Sequence, residues 1–291
     1  LEHVEKAVTD PQAPDAILLA EAPRAAPFIV TVYGDVVEPR GGTLWMGTLI
    51  EVCSVHGISE SLVRTAVSRL VATGRLLGER NGRRSFYRLT TAARQEFAAA
   101  ARVLFAPVPP ATGWLIWADA PEGPADRAWA RIGEGVAIAP DRADLERPEG
   151  LLMRAETVAG SGELPGFAAA HWDLGGIAEG YRAVIDRFAP LAAAISRGYR
   201  PDGATALALR LRLVDQYRAV ALRDPRLPEK ALPGDWPGTP SRALFTTLYC
   251  ALAPVSDIHI GLHFRDASGF LLASTEGSRL RLDRLQRDIS L

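Results

Sequence analysis

The sequence predicts an α+β chain that opens with a helix, turn, helix and basic hairpin and ends in helices. Three observations carry that expectation. Glu60 to Thr73 is a helical segment with one apolar and one polar face. Two strand-like runs follow it, Arg75 to Arg80 and Arg83 to Leu89, with Asn81-Gly82 between them. Beyond His171 a helical period dominates to the end of the readable pattern.

The elements follow in order. Residues 1–27 are rich in Ala, Pro and acid and read as a loosely ordered arm, with Ile17 to Ala20 as its apolar patch. Phe28 to Val32 is a short apolar run, and Gly34, Pro39, Gly41 and Gly42 come after it. Leu44 to Val55 has helical periodicity and stops at Gly57. Ser59 is a candidate N-cap for the second helix, which Gly74 closes. Asn-Gly suits a two-residue hairpin turn, because a type I′ turn needs positive φ at both central positions. Thr91 to Phe105 is helical again.

Pro107, Pro109 and Pro110 mark a boundary. Trp114 to Ala118 reads as a buried strand, Ala125 to Ile132 as a helix and Val136 to Ile138 as a second strand. That order predicts a small α+β domain over 107–165. Helices are then expected at Leu174 to Ser196, Thr205 to Leu222 and Ser241 to Leu252, within a helical region 166–291.

Composition narrows the function classes. The chain has 291 residues, 48% hydrophobic and 23% charged, with net charge -1, as an ordinary soluble protein does. No uninterrupted apolar run reaches the length of a membrane span, and no signal peptide is read at residue 1, so the expected location is the cytoplasm. Cys53 and Cys250 lie in apolar helical patterns and read as small buried hydrophobes.

Charge is concentrated locally. Residues 64–94 hold eight arginines against one acid, Glu79, a local charge of +7. On a helical wheel Ser61, Arg64, Thr65, Ser68 and Arg69 share one face of the second helix, opposite Leu62, Val63, Ala66, Val67, Leu70 and Val71. Guanidinium and hydroxyl groups are suited to phosphates and base edges in a major groove. The hairpin adds Arg80, Arg83, Arg84, Ser85 and Arg88, where a wing would meet a nucleic-acid backbone. The expectation is a winged helix-turn-helix over 28–106 that binds double-stranded DNA.

Other chemistry is thin. His259 and His263 sit in an alternating apolar pattern that reads as a strand, which would root the two imidazoles about 13 Å apart and preclude a shared metal. Asp119 is read as a strand-end turn acid. The sequence has no nucleophile elbow, phosphate-binding loop or dinucleotide fingerprint, so neither an enzyme nor a cofactor or metal site is expected. A protein-interaction scaffold that has lost DNA binding is the alternative, and the basic face and hairpin count against it.

At these residues the sequence resembles the PaaX family of repressors of phenylacetate catabolism. The likeness lies in FIVTVYGDVVEPRGGTLWMGTLI (Phe28 to Ile50), LVRTAVSRL (Leu62 to Leu70), GRRSFYRLT (Gly82 to Thr90) and YRAVALRDPRLPEKALPGDWPG (Tyr217 to Gly238). It implies a ferredoxin-like middle domain, a mainly helical C-terminal domain for effector sensing and dimerisation, and a homodimer. It also implies release from operator DNA by an aryl-acyl-CoA, phenylacetyl-CoA in the type case. Arg210 and Arg218 are candidates to meet the phosphates of such an effector. Trp172, Tyr181, Tyr217 and Trp236 are candidates to bracket its acyl group.

Overall fold

The computed structural model describes residues 16–19, 21–122 and 127–289. It is of mixed α+β class, with one three-stranded and one four-stranded antiparallel sheet. The chain divides into two compact units. One comprises Leu1–Ala106, Val184–Arg218 and Arg242–Leu291; the other comprises Pro107–Ala183 and Ala219–Ser241.

The first unit starts with α1 (Ala16–Leu19) and α2 (Ala25–Val32), which runs on into a π-helical turn, Tyr33–Val37. The expected loose arm therefore holds helical backbone from residue 16; residues 1–15 lie outside the described residues. Phe28, Ile29 and Val32 are fully buried, so the apolar run is a core helix. A 3-10 turn, Glu38–Arg40, ends in Gly41 (φ +99°) and Gly42 (φ +79°), a left-handed pair that reverses the chain into β1 (Thr43–Trp45).

Next come α3 (Met46–Val55) and α4 (Glu60–Ala72). Val63, Ala66, Val67 and Leu70 of α4 join the core formed by Phe28, Ile29, Leu49 and Cys53. Each fully buried Val or Leu there contributes about 1.5–3 kcal/mol. The buried stripe is narrower than the helical wheel predicts: Leu62 is 55% exposed and Val71 37%. β2 (Leu76–Asn81) and β3 (Arg84–Leu89) form the hairpin, and β3 is the central strand, flanked by β1. Asn81 pairs with Arg84, so the loop is Gly82-Arg83, one residue later than the sequence suggests. Gly82 has φ +59° and neither Asn81 nor Arg83 has positive φ, which fits a type II′ turn rather than type I′.

Helix α5 (Thr91–Phe105) matches its expected span. Its N-cap Thr90 accepts from the Ala93 amide (3.1 Å) and donates to the Gly74 carbonyl (2.8 Å), so one side chain fixes both the helix start and the end of α4.

The second unit carries the four-stranded sheet: β4 (Trp114–Ala118), β5 (Ala130–Gly133), β6 (Val136–Pro140) and β7 (Leu151–Ala155), in the order β5-β6-β4-β7. Trp114 packs in one cluster with Ile138 and Trp172, while Leu115 and Trp117 pack in another with Trp129 and Ala139. Both faces of β4 are covered, which explains its unbroken apolar run. The helix expected at Ala125 to Ile132 is not formed by its described residues. Ala130 and Arg131 instead pair with Ile138 and Ala137. Strand pairing and burial of Trp129 prevail there over the helix propensity of Ala and Arg. Asp119 has φ +58°, as a turn acid can.

The remaining helices are α6 (Leu164–His171), α7 (Leu174–Ser196), α8 (Gly203–Ala221), α9 (Gly238–His263) and α10 (Glu276–Ile289). Helix α9 overturns the strand expected around His259 and His263. The two sit one turn apart with ring centroids 4.2 Å from each other, not about 13 Å. Ile260 and Phe264, four residues apart, are buried in the first unit's core, while Ile258 and Leu262 are 61% and 63% exposed, so the alternation arises because apolar residues occupy the solvent side of this stretch as well as its buried side. Among the described residues no group of three or more His, Cys, Asp or Glu could hold a metal ion. By length and composition α9 could also cross a membrane, although Phe245, Leu248, Tyr249 and Leu252 are buried.

Candidate nucleic-acid interface

On α4 the structure brings Ser61, Arg64, Thr65, Ser68 and Arg69 to one exposed face. Two of them are partly committed within the helix. Arg64 pairs with Glu60, one turn before it (Nη2 to Oε1, 2.7 Å), and the Thr65 hydroxyl donates to the Ser61 carbonyl (2.9 Å). The Arg64 pair is exposed on both sides, so it is worth a few tenths of a kcal/mol and exchanges readily for a phosphate. Arg69 has no ion-pair or hydrogen-bond partner for its side chain among the described residues. Ser59 caps α4 in position only: its hydroxyl lies 3.1 Å from that of Ser61 and makes no bond to the helix backbone.

The hairpin splits its residues between two faces. Arg80 lies opposite Ser85, while Arg84 and Arg88 alternate onto the other face with Phe86. Arg84 stands over the Trp45 ring at 5.2 Å. Arg88 is paired with Glu79, which is diagonal to it across the strands. Arg80 bonds the Gly82 carbonyl (3.3 Å). Arg83, at the turn, is exposed and has no side-chain partner among the described residues.

The local charge is also smaller than the narrower window implies. Glu60 and Glu96 lie just outside it and pair with Arg64 and Arg75, and over residues 60–96 the charge is +5. Sequence reasoning missed Trp45, which gives Arg84 an aromatic platform: the expected helix from Leu44 includes it, whereas it ends β1 and the helix starts at Met46.

The candidate effector residues fall into two groups, one in each unit. In the second unit Trp172 stacks on Trp114 (6.1 Å) and donates its indole N–H to the Ala128 carbonyl (3.3 Å). Tyr181 donates to Asp224 (2.7 Å), and Trp236 meets Tyr181 edge-on at 6.1 Å. In the first unit Tyr217 stacks on Phe245 (4.1 Å), and Arg218 donates to Thr31 (3.2 Å) and the Pro27 carbonyl (3.1 Å).

Arg210 departs from its expected role. It is 1% exposed and all five of its donors are used inside the protein. Asp35 takes two (2.8 and 3.1 Å), Asp257 one (2.6 Å), Ser256 one (3.0 Å) and the Tyr249 hydroxyl one (2.9 Å). Burial opposes the charge on Arg210, but Asp35, Tyr249 and Asp257 outweigh it and push its pKa up. A phosphate would find no free donor on this guanidinium.

A polar helix face next to a basic hairpin is an arrangement of nucleic-acid-associated proteins, and the comparisons with known proteins agree on the class: the chain is a transcriptional regulator. The PaaX-like protein family matches residues 24–93, and the PaaX-like protein C-terminal domain matches residues 172–261. The chain belongs to the PaaX family. It is 29% identical over 257 residues to the Transcriptional repressor PaaX of Escherichia coli (strain K12), covering 79% of this chain and 80% of that protein. Among solved structures, Uncharacterized protein Rv0674 from Mycobacterium tuberculosis aligns with a TM-score of 0.44 and 22% identity, over 73% of this chain and 89% of that one.

Proposed function

We propose that this chain is a DNA-binding transcriptional repressor acting in the cytoplasm, with a winged helix-turn-helix over residues 28–106. In this reading α4 enters the major groove of operator DNA. Arg64, Thr65, Ser68 and Arg69 face base edges, and the hairpin tip at Arg83 and Arg84 holds the backbone. The observation that carries the reading is the pair of unpartnered, exposed guanidiniums, Arg69 and Arg83, on adjoining elements of one basic segment. Ion pairing elsewhere in the segment makes these two its most available charges.

The protein acts as a homodimer that places two such modules on successive half-sites, and an acyl-CoA of phenylacetyl type releases it. Trp172, Tyr181 and Trp236 of the second unit are the aromatic candidates for the acyl group, and Tyr217 and Arg218 of the first unit are weaker ones. Likeness to a repressor of this family supports the assignment to phenylacetate-type catabolism.

The test is a band-shift titration on the promoter region beside the chain's own gene. Arg64→Ala with Arg69→Ala should weaken specific binding by about 1–3 kcal/mol for each base edge that goes unread. Phenylacetyl-CoA should dissociate the complex and free phenylacetate should not. Unchanged affinity in the double variant refutes the α4 assignment. An indifferent complex refutes the effector.

A further inference from the structure

We propose that a cleft beside the hairpin tip binds a phosphate of the duplex backbone, and that Arg265, far outside residues 28–106, is a DNA contact. The proposal rests on the DNA-binding reading above. The cleft has a volume of about 280 Å3 and lies within the first unit. Asn81, Arg84 and Phe86 of the hairpin line one part of it, and the turn after α9, residues 265–269, lines the rest. Asn81 and Arg84 flank the Gly82-Arg83 loop, so the cleft adjoins the charges assigned to the backbone.

The turn is anchored at both ends and to the sheet. Phe264 and Leu271, which bracket it, are 1% and 4% exposed and belong to the core. Between them Arg265 forms a β-bridge with Phe270, and the Asp266 amide donates to the Gly269 carbonyl (2.9 Å). The Trp45 amide donates to the Arg265 carbonyl (2.8 Å), which ties the turn to β1. Arg265 therefore lines the cleft from a fixed backbone.

The two cations of the cleft are held in the same way. Arg84 stands over the Trp45 ring (5.2 Å) and Arg265 over the Phe270 ring (4.2 Å). Neither guanidinium has an ion pair or hydrogen bond among the described residues. Contact with a ring face uses the charge of the cation and leaves its N–H donors for an acceptor. Two such groups lining one cleft suit a phosphate, whose oxygens accept from both. Asp266 is the one acid lining it, so the cleft keeps a charge of +1. The Asp266 Oδ1 already accepts from the Ser268 amide (2.8 Å), the Ser268 hydroxyl (2.7 Å) and the Gly269 amide (2.9 Å), which commits it to the turn. The phosphates of a free acyl-CoA have the same chemistry; the position beside the hairpin tip selects the duplex.

The test uses the full chain, with operator DNA and with a random-sequence duplex of equal length. Arg265→Gln should weaken binding to both and flatten the log–log salt slope by about 0.9, so that the advantage of the unsubstituted chain shrinks about threefold over a fourfold rise in salt. Asp266→Asn keeps an oxygen for the turn and removes the opposing charge, so it should tighten binding to both, a gain that misfolding does not give. Phenylacetyl-CoA, titrated without DNA, should bind the unsubstituted and Arg265→Gln chains alike. Parallel slopes for these two chains, a loss confined to the operator, or weaker phenylacetyl-CoA binding by Arg265→Gln overturns the proposal. If Arg69→Ala with Arg83→Ala flattens the slope and Arg265→Gln does not, this proposal fails and the DNA-binding reading stands. If the unsubstituted chain binds neither duplex, both fail.

Discussion

Replacing Arg210 by Met should destabilise the first unit severely, and replacing its partner as well should restore most of the loss. Arg210 and Asp35 are 1% and 0% exposed at their side chains and 175 residues apart in sequence, so their ion pair ties α8 to the π-helical turn after α2. Removing the guanidinium leaves the Asp35 carboxylate with the Tyr249 hydroxyl (2.8 Å) as its remaining side-chain donor. Breaking a buried pair from one side costs about 3–5 kcal/mol. Asp35→Leu should cost nearer the lower figure, because Asp257 still faces Arg210 at 2.6 Å. The double replacement removes both charges and should cost about 2 kcal/mol, giving an interaction energy of about 4–6 kcal/mol in a double-mutant cycle. Urea unfolding midpoints of the four proteins at pH 7, followed by far-UV circular dichroism, give the cycle. If either single variant loses less than about 1 kcal/mol, or the double variant loses the sum of the two, the network is not what joins these elements.

Three further outcomes follow from local geometry. Burial, reinforced by the charge of Arg212, makes His56 hold its proton far less tightly folded than unfolded, its pKa falling from 6.5 to about 3, so the unfolded chain binds the extra proton between those values and stability falls as pH falls through that window. Between pH 7 and pH 5 the unsubstituted chain should lose about 2 kcal/mol more than the His56→Leu chain, and equal losses in the two unfolding series would contradict the burial argument. Thr90→Ala removes the α5 cap and the tie to Gly74, and should cost about 1–2 kcal/mol in the same urea assay. Gly82→Ala meets no neighbouring atom but must adopt φ +59°, so it should cost about 1 kcal/mol through backbone strain alone.

The elements that could be read from sequence are those where local pattern and tertiary role agree. Helix α4 shows a clear 3.6-residue period because one face meets the core and the other meets solvent. Its neighbour α2 is concealed, since Phe28 to Val32 is buried almost all round and a short apolar run has no period to distinguish helix from strand. His259 to Phe264 looks like a strand for a different reason: exposed Ile258 and Leu262 alternate with buried Ile260 and Phe264. β5 is hidden in the opposite way: Ala-Arg-Ile favours helix locally, and only pairing with β6 makes it a strand. At the site, the exposed face of α4 is readable, because a wheel needs only sequence spacing. A wheel does not show the ion pairs of Arg64 with Glu60 and Arg88 with Glu79, and both reduce the free charge. The role of Arg210 is concealed because Asp35, which accounts for it, lies far away along the chain.

The most direct test of DNA recognition by this basic segment is the salt dependence of operator affinity. Binding constants are measured for the unsubstituted chain and for the Arg69→Ala, Arg83→Ala double variant across a range of salt concentration. If both guanidiniums neutralise phosphates or displace counterions on the duplex, the variant's log–log slope is shallower by about 0.9 for each phosphate left unneutralised, and its affinity is lower at every salt concentration. Parallel lines of equal affinity for the two proteins would contradict the account.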